Sequence, residues 1–345
     1  MFDLTLWIRE NVRMMKPYSC ARTEFTGEAS VFLDANENPY NTGLNRYPDP
    51  LQWKLKEKIA DLKGIGAENI FLGNGSDEPI DLLIRVSCHP GVHNVVAIDP
   101  TYGMYLVAAE THGVEYRTVP LDEHFDFSAE PLLRKTDGQT RIVFLCSPNN
   151  PTGNVLNEQE IVKLLESFQG VVVLDEAYID FSSGKGFLHR LHEFPNLVIL
   201  QTFSKAWGMA GVRLGMAFAS KDIIAALNKI KYPYNINVLT QQTALERLEE
   251  PTLHEEWVVS LVKERHRLKE KLAALPLVLQ IHPSEANFLL IRVANPNPLY
   301  QYLVNRGIIV RNRNNVSLCS GCLRITVGLP AENDALIEAL SAYLE

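Results

Sequence analysis

The chain has 345 residues, 46% hydrophobic and 21% charged, which leaves room for one large domain and a smaller one with filled cores. A net charge of −8 argues against nucleic acid or an anionic membrane as a main partner, though not against a locally basic pocket for a small anion. Five scattered cysteines, an odd number, fit a reducing cytosol better than a disulfide framework.

Residues 1–13 mix acidic and basic side chains without a continuous apolar core, so they read as neither a signal peptide nor a membrane span. No later run reaches spanning length, and the expectation is a soluble, cytoplasmic protein. Val31-Phe32-Leu33 and the polar turn from Asp34 to Pro39 precede Arg46-Tyr47-Pro48-Asp49-Pro50, a proline-punctuated loop. Residues 51–62 have helical spacing. Short apolar runs at 70–72, 95–98, 142–145, 171–174, 198–200 and 215–218 then read as strands, with helices at 79–86, 104–110 and 158–168 among them. This alternation predicts an α/β domain whose mostly parallel sheet carries helices on both faces. After about residue 250 the pattern changes. A helix over 253–275 stops at Pro276, strands follow at 288–293, 308–311 and 323–327, and a helix over 334–344 closes a smaller α+β domain. The expected division is 45–250 for the large domain and 251–345 for the small one, with 1–44 completing the latter.

In open parallel sheets, ligands bind beyond the carboxyl ends of the strands. Four such ends here carry distinctive residues. Gly73-Asn74-Gly75-Ser76-Asp77-Glu78 stands between a strand and a helix, where glycine and free N–H groups can cradle a phosphate. The plainer reading is a helix cap by Ser76 or Asp77. Ser147-Pro148-Asn149-Asn150-Pro151-Thr152-Gly153 can project an Asn amide into a site. Asp175-Glu176-Ala177-Tyr178 ends a hydrophobic strand. A nucleotide-hydrolase role for Asp175 needs a G-x-x-x-x-G-K-S/T stretch, which the chain lacks. A fixed carboxylate suits a protonated pyridine nitrogen instead. The fourth end is Thr202-Phe203-Ser204-Lys205, followed by Arg213: an amine for a Schiff base, with hydroxyls and a guanidinium for a phosphate. Cys319-Ser320-Gly321-Cys322 leads into a strand-like run and has no further metal ligands at suitable spacing. His89, His93, His189 and His192 also lack a third ligand and read as surface residues, so no metal is expected.

The ordered set Asn150-Pro151-Thr152-Gly153, Asp175 with Tyr178, Ser204-Lys205 and Arg213 resembles the fold-type I pyridoxal phosphate (PLP) aminotransferases, over nearly the whole chain. The resemblance implies that Lys205 forms the Schiff base and shuttles the substrate's Cα proton. It implies further that Asp175 pairs with the pyridine nitrogen, while Asn150 and Tyr178 hold the ring hydroxyl. Tyr102 would stack on the ring, and Gly75, Ser76, Asp77, Thr202, Ser204 and Arg213 would grip the phosphate. Asn45-Arg46-Tyr47-Pro48, Pro100-Thr101-Tyr102-Gly103-Met104-Tyr105 and the run from Ser320 to Gly328 resemble, more narrowly, the histidinol-phosphate aminotransferase family, as do Pro17-Tyr18 and the run from Leu33 to Glu37. That narrower resemblance implies a homodimer in which Tyr47 reaches the neighbouring subunit's cofactor phosphate. Arg311 and Arg324, with Tyr18 and Asn36, would bind substrate.

The implied reaction is transamination between L-histidinol phosphate and 2-oxoglutarate, giving imidazole-acetol phosphate and L-glutamate in histidine biosynthesis. Both amino substrates carry an anion near the reacting carbon, which paired guanidinium groups can hold. The rival chemistry within the fold is decarboxylation of the threonine-phosphate type, separable by CO2 release without 2-oxoglutarate. A PLP-binding transcriptional regulator would need a DNA-binding domain, for which there is no room before Tyr47 or after Arg324.

Overall fold

The computed structural model describes residues 2–20 and 30–343. Its larger sheet has seven strands: β1 (Ile70–Asn74), β2 (Asn94–Asp99), β3 (Glu115–Pro120), β4 (Thr140–Cys146), β5 (Val171–Asp175), β6 (Leu197–Thr202) and β7 (Leu214–Phe218). They lie in the order β1-β7-β6-β5-β4-β2-β3. Only β7 runs against its neighbours; the β2–β3, β2–β4, β4–β5 and β5–β6 pairs are parallel. β6 returns directly into β7 through residues 203–213, a connection that antiparallel neighbours allow and parallel ones do not. The loop holding Lys205 is therefore pinned at both ends by adjacent strands.

Side chains alternate across a strand, so each strand feeds two cores. Val143, Leu145, Val172 and Leu174 face one cluster, with Leu55 and Ile59 of α3 (Trp53–Lys63). Ile142, Phe144, Val171 and Val173 face the other, with α4 (Asp77–Ser87) and α5 (Met104–Thr111). Asp175 follows the Val171 and Val173 parity and points to the α4/α5 side. The short helices α1 (Leu4–Trp7) and α2 (Glu10–Met14) place Trp7 and Val12 in that same core, and Trp7 Nε1 donates to the Arg141 carbonyl at 2.9 Å. Residues 4–14 thus pack on the large sheet's helical layer.

Two elements of the first half have no apolar signature. The strand β3 is an edge with exposed and half-exposed side chains, and α6 (Ala129–Lys135) is short. Beyond α7 (Glu158–Ser167), α8 (Lys221–Ile230) and α9 (Val238–Leu248) had readable starts. Ser220 and Asn237 accept N–H bonds at their N-termini.

After the long α10 (Pro251–Ala273) come β8 (Val278–Ile281), β9 (Phe288–Val293), α11 (Pro296–Asn305), β10 (Arg311–Asn312), β11 (Cys322–Thr326) and α12 (Pro330–Ser341). The strands form an antiparallel sheet ordered β10-β11-β9-β8. The strand expected at 308–311 shrinks to two residues, because Ile309 is exposed and cannot hold the run against the core. α12 starts earlier than expected, with Pro330 in its first turn and Glu332 Oε2 accepting the Leu329 N–H at 2.7 Å. The expected helix end at Leu344 lies outside the described residues. A small cluster of Tyr178, Phe181, Ala206, Ala286 and Phe288, with Val258 and Leu261 of α10 against it, joins the two sheets beside the Lys205 loop.

Candidate active site

One pocket, at the carboxyl ends of β4, β5 and β6 and the start of α4, is lined by Gly75, Ser76, Asp77, Tyr102, Asn150, Asp175, Tyr178, Thr202, Ser204, Lys205 and Arg213, together with Cys146, Ala177 and Ala210. Sequence analysis assigns a site role to all of these but Cys146, Ala177 and Ala210.

At one end of the pocket, β1 turns into α4 through Gly75, whose φ of +72° suits glycine. Its N–H donates to the Arg213 carbonyl at 2.8 Å, tying the turn to the Lys205 loop. A Cβ on Gly75 would stand 2.7 Å from Arg213 Nη2, so glycine leaves the guanidinium its place. The plain cap reading of Ser76 fails, since its side chain makes no capping hydrogen bond. The uncapped N–H groups at the α4 N-terminus, the Arg213 guanidinium and the Thr202 and Ser204 hydroxyls, 3.0 Å apart, together form an anion cradle. Asp77 Oδ2 lies 3.4 Å from Arg213 Nη2 and steadies it.

At the opposite end stands Asp175, 2% exposed. Its Oδ1 accepts the Ala177 N–H at 3.0 Å and its Oδ2 accepts the Tyr105 hydroxyl at 2.8 Å. Burial pushes the carboxyl up to about 6, against the lowering pull of these donors. The site thus holds a carboxylate short of a positive partner.

Lys205 reaches between the two ends with no carboxylate within ion-pair distance among the described residues. Its Nζ lies 5.7 Å from the Tyr178 ring centroid. Desolvation by the pocket walls, then the Arg324 cation, pull its amine below the ordinary lysine range, and Asp175 opposes them. A larger neutral fraction makes the amine a better nucleophile. Tyr178 packs edge-on against Phe288, and Tyr102 donates to Asp77 Oδ1 at 3.0 Å. Burial raises both phenols, so both remain donors.

Three further arginines lie beside the pocket without being among the residues that line it. Arg324 on β11 donates to Asn150 Oδ1 and lies over the Phe288 ring at 5.1 Å. Arg311 is its cross-strand partner on β10, exposed and on the same sheet face. Sequence reasoning passed over Arg313, although it stands two positions after Arg311. It is half-buried, its Nε is a buried donor without a partner, and burial followed by the Arg324 and Arg311 charges lowers it to about 10. None of the three guanidinium groups has a carboxylate partner among the described residues, so the cluster is poised for an external anion. Tyr105 was the other omission; it stands in the quoted run after Tyr102, one helical turn on.

Tyr47, Tyr18 and Asn36 do not line this pocket. Tyr47 stacks on Tyr234 at 4.4 Å and borders a groove with Asn36, while Tyr18 lines an adjoining groove with Tyr232 and Tyr234. His93 is buried and not on the surface as expected: its ring accepts the His89 N–H at 2.9 Å and meets Arg141 Nη2 at 3.0 Å. Cys319 and Cys322 are fully buried, and burial raises both thiols, Cys319 to about 12. Raised, inaccessible thiols are unreactive. No described helix is long and apolar enough to cross a membrane.

The family described as "Aminotransferase class I and II" matches residues 29–340. A curated relative from Parabacteroides distasonis, named histidinol-phosphate aminotransferase, is 58% identical over 99% of both chains. The histidinol-phosphate aminotransferase structure from Clostridium acetobutylicum superposes with a TM-score of 0.80 at 27% identity, covering 87% of this chain and 90% of its own. That of the same-named enzyme from Sinorhizobium meliloti, in complex with pyridoxal-5'-phosphate, gives 0.77 at 25% identity, covering 86% and 82%. With the family pattern running through both sheets and the pocket between them, this chain belongs to the class I and II aminotransferases.

Proposed function

We propose that the chain catalyses PLP-dependent transamination between L-histidinol phosphate and 2-oxoglutarate, yielding imidazole-acetol phosphate and L-glutamate for histidine biosynthesis. The carrying observation is an unpaired amine, Lys205, between a buried carboxylate short of a cation and an anion cradle made around a glycine. The name borne by the 58%-identical relative supports the choice of substrate over decarboxylation.

The residues fit the cofactor. The cradle of Gly75, Ser76, Asp77, Thr202, Ser204 and Arg213 matches its phosphate. Asp175 matches its ring nitrogen, Asn150 and Tyr178 its ring hydroxyl, Tyr102 its ring face and Lys205 its aldehyde. Bound there, PLP supplies an exchangeable carbonyl and a ring that accepts electrons from the substrate's Cα. Lys205 would move the proton at the substrate's Cα. Asp175 keeps the ring nitrogen protonated. Arg324, Arg311 and Arg313 hold the substrate anion, and three cations suit a phosphate dianion as well as a carboxylate. Tyr47, Tyr18 and Asn36 act in a homodimer, with Tyr47 reaching the neighbouring subunit's cofactor phosphate. Support comes from the exposed side chains of Tyr18, Leu44, Tyr232 and Leu239 that line their grooves.

The test is the absorbance of purified protein before and after L-histidinol phosphate is added without an oxo acid. Bleaching of the yellow band, selective for histidinol phosphate over phenylalanine and threonine phosphate, supports the assignment. A stronger response to another amine discards the substrate, and a protein colourless after incubation with PLP discards the cofactor.

Two variants probe the site. Arg324→Ala is expected to raise KM for glutamate and histidinol phosphate alike by roughly tenfold or more, since one charge-assisted contact is lost to each. Unchanged KM for both removes Arg324 from the substrate site. For Asp175, the folded carboxyl at about 6 lies above its unfolded value. The cofactor-free native state therefore binds a proton that the unfolded chain has lost. This contribution to stability is present at low pH and disappears as pH rises from about 4 to about 6. Asp175→Asn should stabilise the cofactor-free protein at pH 7.5, by on the order of 3 kcal/mol, yet weaken PLP binding. Thermal melts at pH 5 and pH 7.5 check it: a gain no larger at the higher pH contradicts the argument.

A further inference from the structure

Asp175 takes only one side-chain hydrogen bond among the described residues, from Tyr105 at 2.8 Å. Tyr105 is fully buried, and its ring is held by stacking on Phe144 of β4 at 4.7 Å and 8°. It meets Tyr102 edge-on at 5.6 Å. The start of α5 thus sends one tyrosine into the pocket and the next beneath the carboxylate.

We propose that Tyr105 is a positioning residue for the cofactor's ring nitrogen: its hydroxyl orients the Asp175 carboxylate and keeps it ionised, without touching the cofactor itself. The proposal rests on the PLP reading above. Its chemical logic lies in the donor's neutrality. A Lys or Arg at this place would also keep Asp175 ionised, but its charge would satisfy the carboxylate and leave less attraction for a pyridinium. A phenol supplies a hydrogen bond and leaves the negative charge for the ring. Burial and the adjacent carboxylate hold the Tyr105 phenol far above its usual range, so it donates throughout working pH.

Asp175 is faced by other groups as well. Asp77 comes from α4, Tyr102 from the turn before α5, Cys146 from the end of β4, Tyr178 from beyond β5 and Lys205 from beyond β6. Asp77 disfavours the ionised form and Lys205 favours it, while neither is within hydrogen-bonding reach. Among the described side chains, Tyr105 is the one that hydrogen-bonds the carboxylate and so sets direction as well as charge, beside the Ala177 backbone N–H.

The experiment titrates cofactor-free protein with PLP between pH 5 and pH 8.5 in the wild type, Tyr105→Phe, Asp175→Asn and the double variant. Tyr105→Phe keeps the ring on Phe144 and removes only the hydroxyl. Its PLP affinity should fall roughly tenfold at pH 7.5, and the pH below which binding weakens should rise by about one unit. Titration of the PLP phosphate and of Lys205 is common to both proteins and cancels in the comparison. In the Asp175→Asn background, Tyr105→Phe should cost no further affinity, because its effect runs through the carboxylate. Equal losses in both backgrounds would reveal a packing role and overturn the proposal, as would an unshifted pH midpoint. A wild type that takes up no PLP brings down the cofactor assignment and this proposal with it. Normal uptake with an unaltered Tyr105→Phe overturns the role of Tyr105 alone.

Discussion

Lys205→Ala should abolish turnover, with kcat falling roughly 10^4-fold or more, while the fold is left intact. The two halves of this expectation come from the same observation. The Lys205 amine has no ion-pair partner among the described residues and sits in a pocket that lowers its basicity. Its removal therefore breaks no ion pair or side-chain hydrogen bond, gives up only a long contact with the Tyr178 ring and relieves a desolvation cost, so the melting temperature should hold or rise slightly. On the proposed function, the variant would lose both the covalent attachment point and the group that moves the Cα proton. PLP should still bind through the contacts proposed for the cradle, Asn150, Tyr178 and Asp175. A single-turnover experiment with L-histidinol phosphate, followed by loss of the yellow band, separates these contributions. Turnover near the wild-type rate would remove Lys205 from the mechanism, however well the variant bound its cofactor.

Gly215→Ala should be among the most damaging substitutions to the fold, although it adds only one methyl group. Gly215 lies on β7, paired with Gly73 of β1 and with Thr202 of β6. A Cβ there would come within 2.2 Å of both the Gly75 carbonyl carbon and the Ser76 nitrogen. The obstacle is backbone, held by the Gly75 hydrogen bond to Arg213, and it has no rotamer through which to yield. Overpacking of this kind costs about 3 kcal/mol, the upper part of the usual range. The melting temperature of the cofactor-free protein should fall by roughly 5 °C or more. The strain falls on the turn that presents the cradle N–H groups, so PLP affinity should fall as well. Melting curves and a PLP titration test both parts; unchanged values for both would mean that β1 and β7 can separate freely.

How much of this was legible beforehand follows from how each signal arises. The central strands announce themselves because both their faces are buried. Residues 142–146 and 171–175 are almost wholly inaccessible, and only uninterrupted apolar runs satisfy that. Edge strands carry no such demand, which is why β3 and β8 passed unseen, with exposed side chains along much of their length. Arg313 and Tyr105 are instructive in another way. Each stands close in the chain to a residue that was identified, Arg313 two positions after Arg311, just past the end of β10, and Tyr105 three positions after Tyr102. The nearness in the chain was visible; the wall each would meet was not. Tyr18, Asn36 and Tyr47 show the reverse, since their motifs are plain in the chain while the structure places them in grooves apart from the pocket.

By itself, then, the sequence determined the succession of buried strands and helices, and the four strand ends bearing Gly75, Asn150, Asp175 and Lys205. Those features are local: hydrophobic period and turn chemistry act over a few residues. The tertiary structure alone decided what the strand ends do to one another. Strand order brings β4, β5 and β6 side by side, which gathers Asn150, Asp175 and Lys205 into one pocket. Antiparallel β7 carries Arg213 back to Gly75, and β11 delivers Arg324 to Asn150 across the junction of two sheets. The raised carboxyl of Asp175 and the lowered amine of Lys205 belong to that assembly as well. Desolvation and through-space charge depend on neighbours distant in the chain, and no local pattern of residues encodes them.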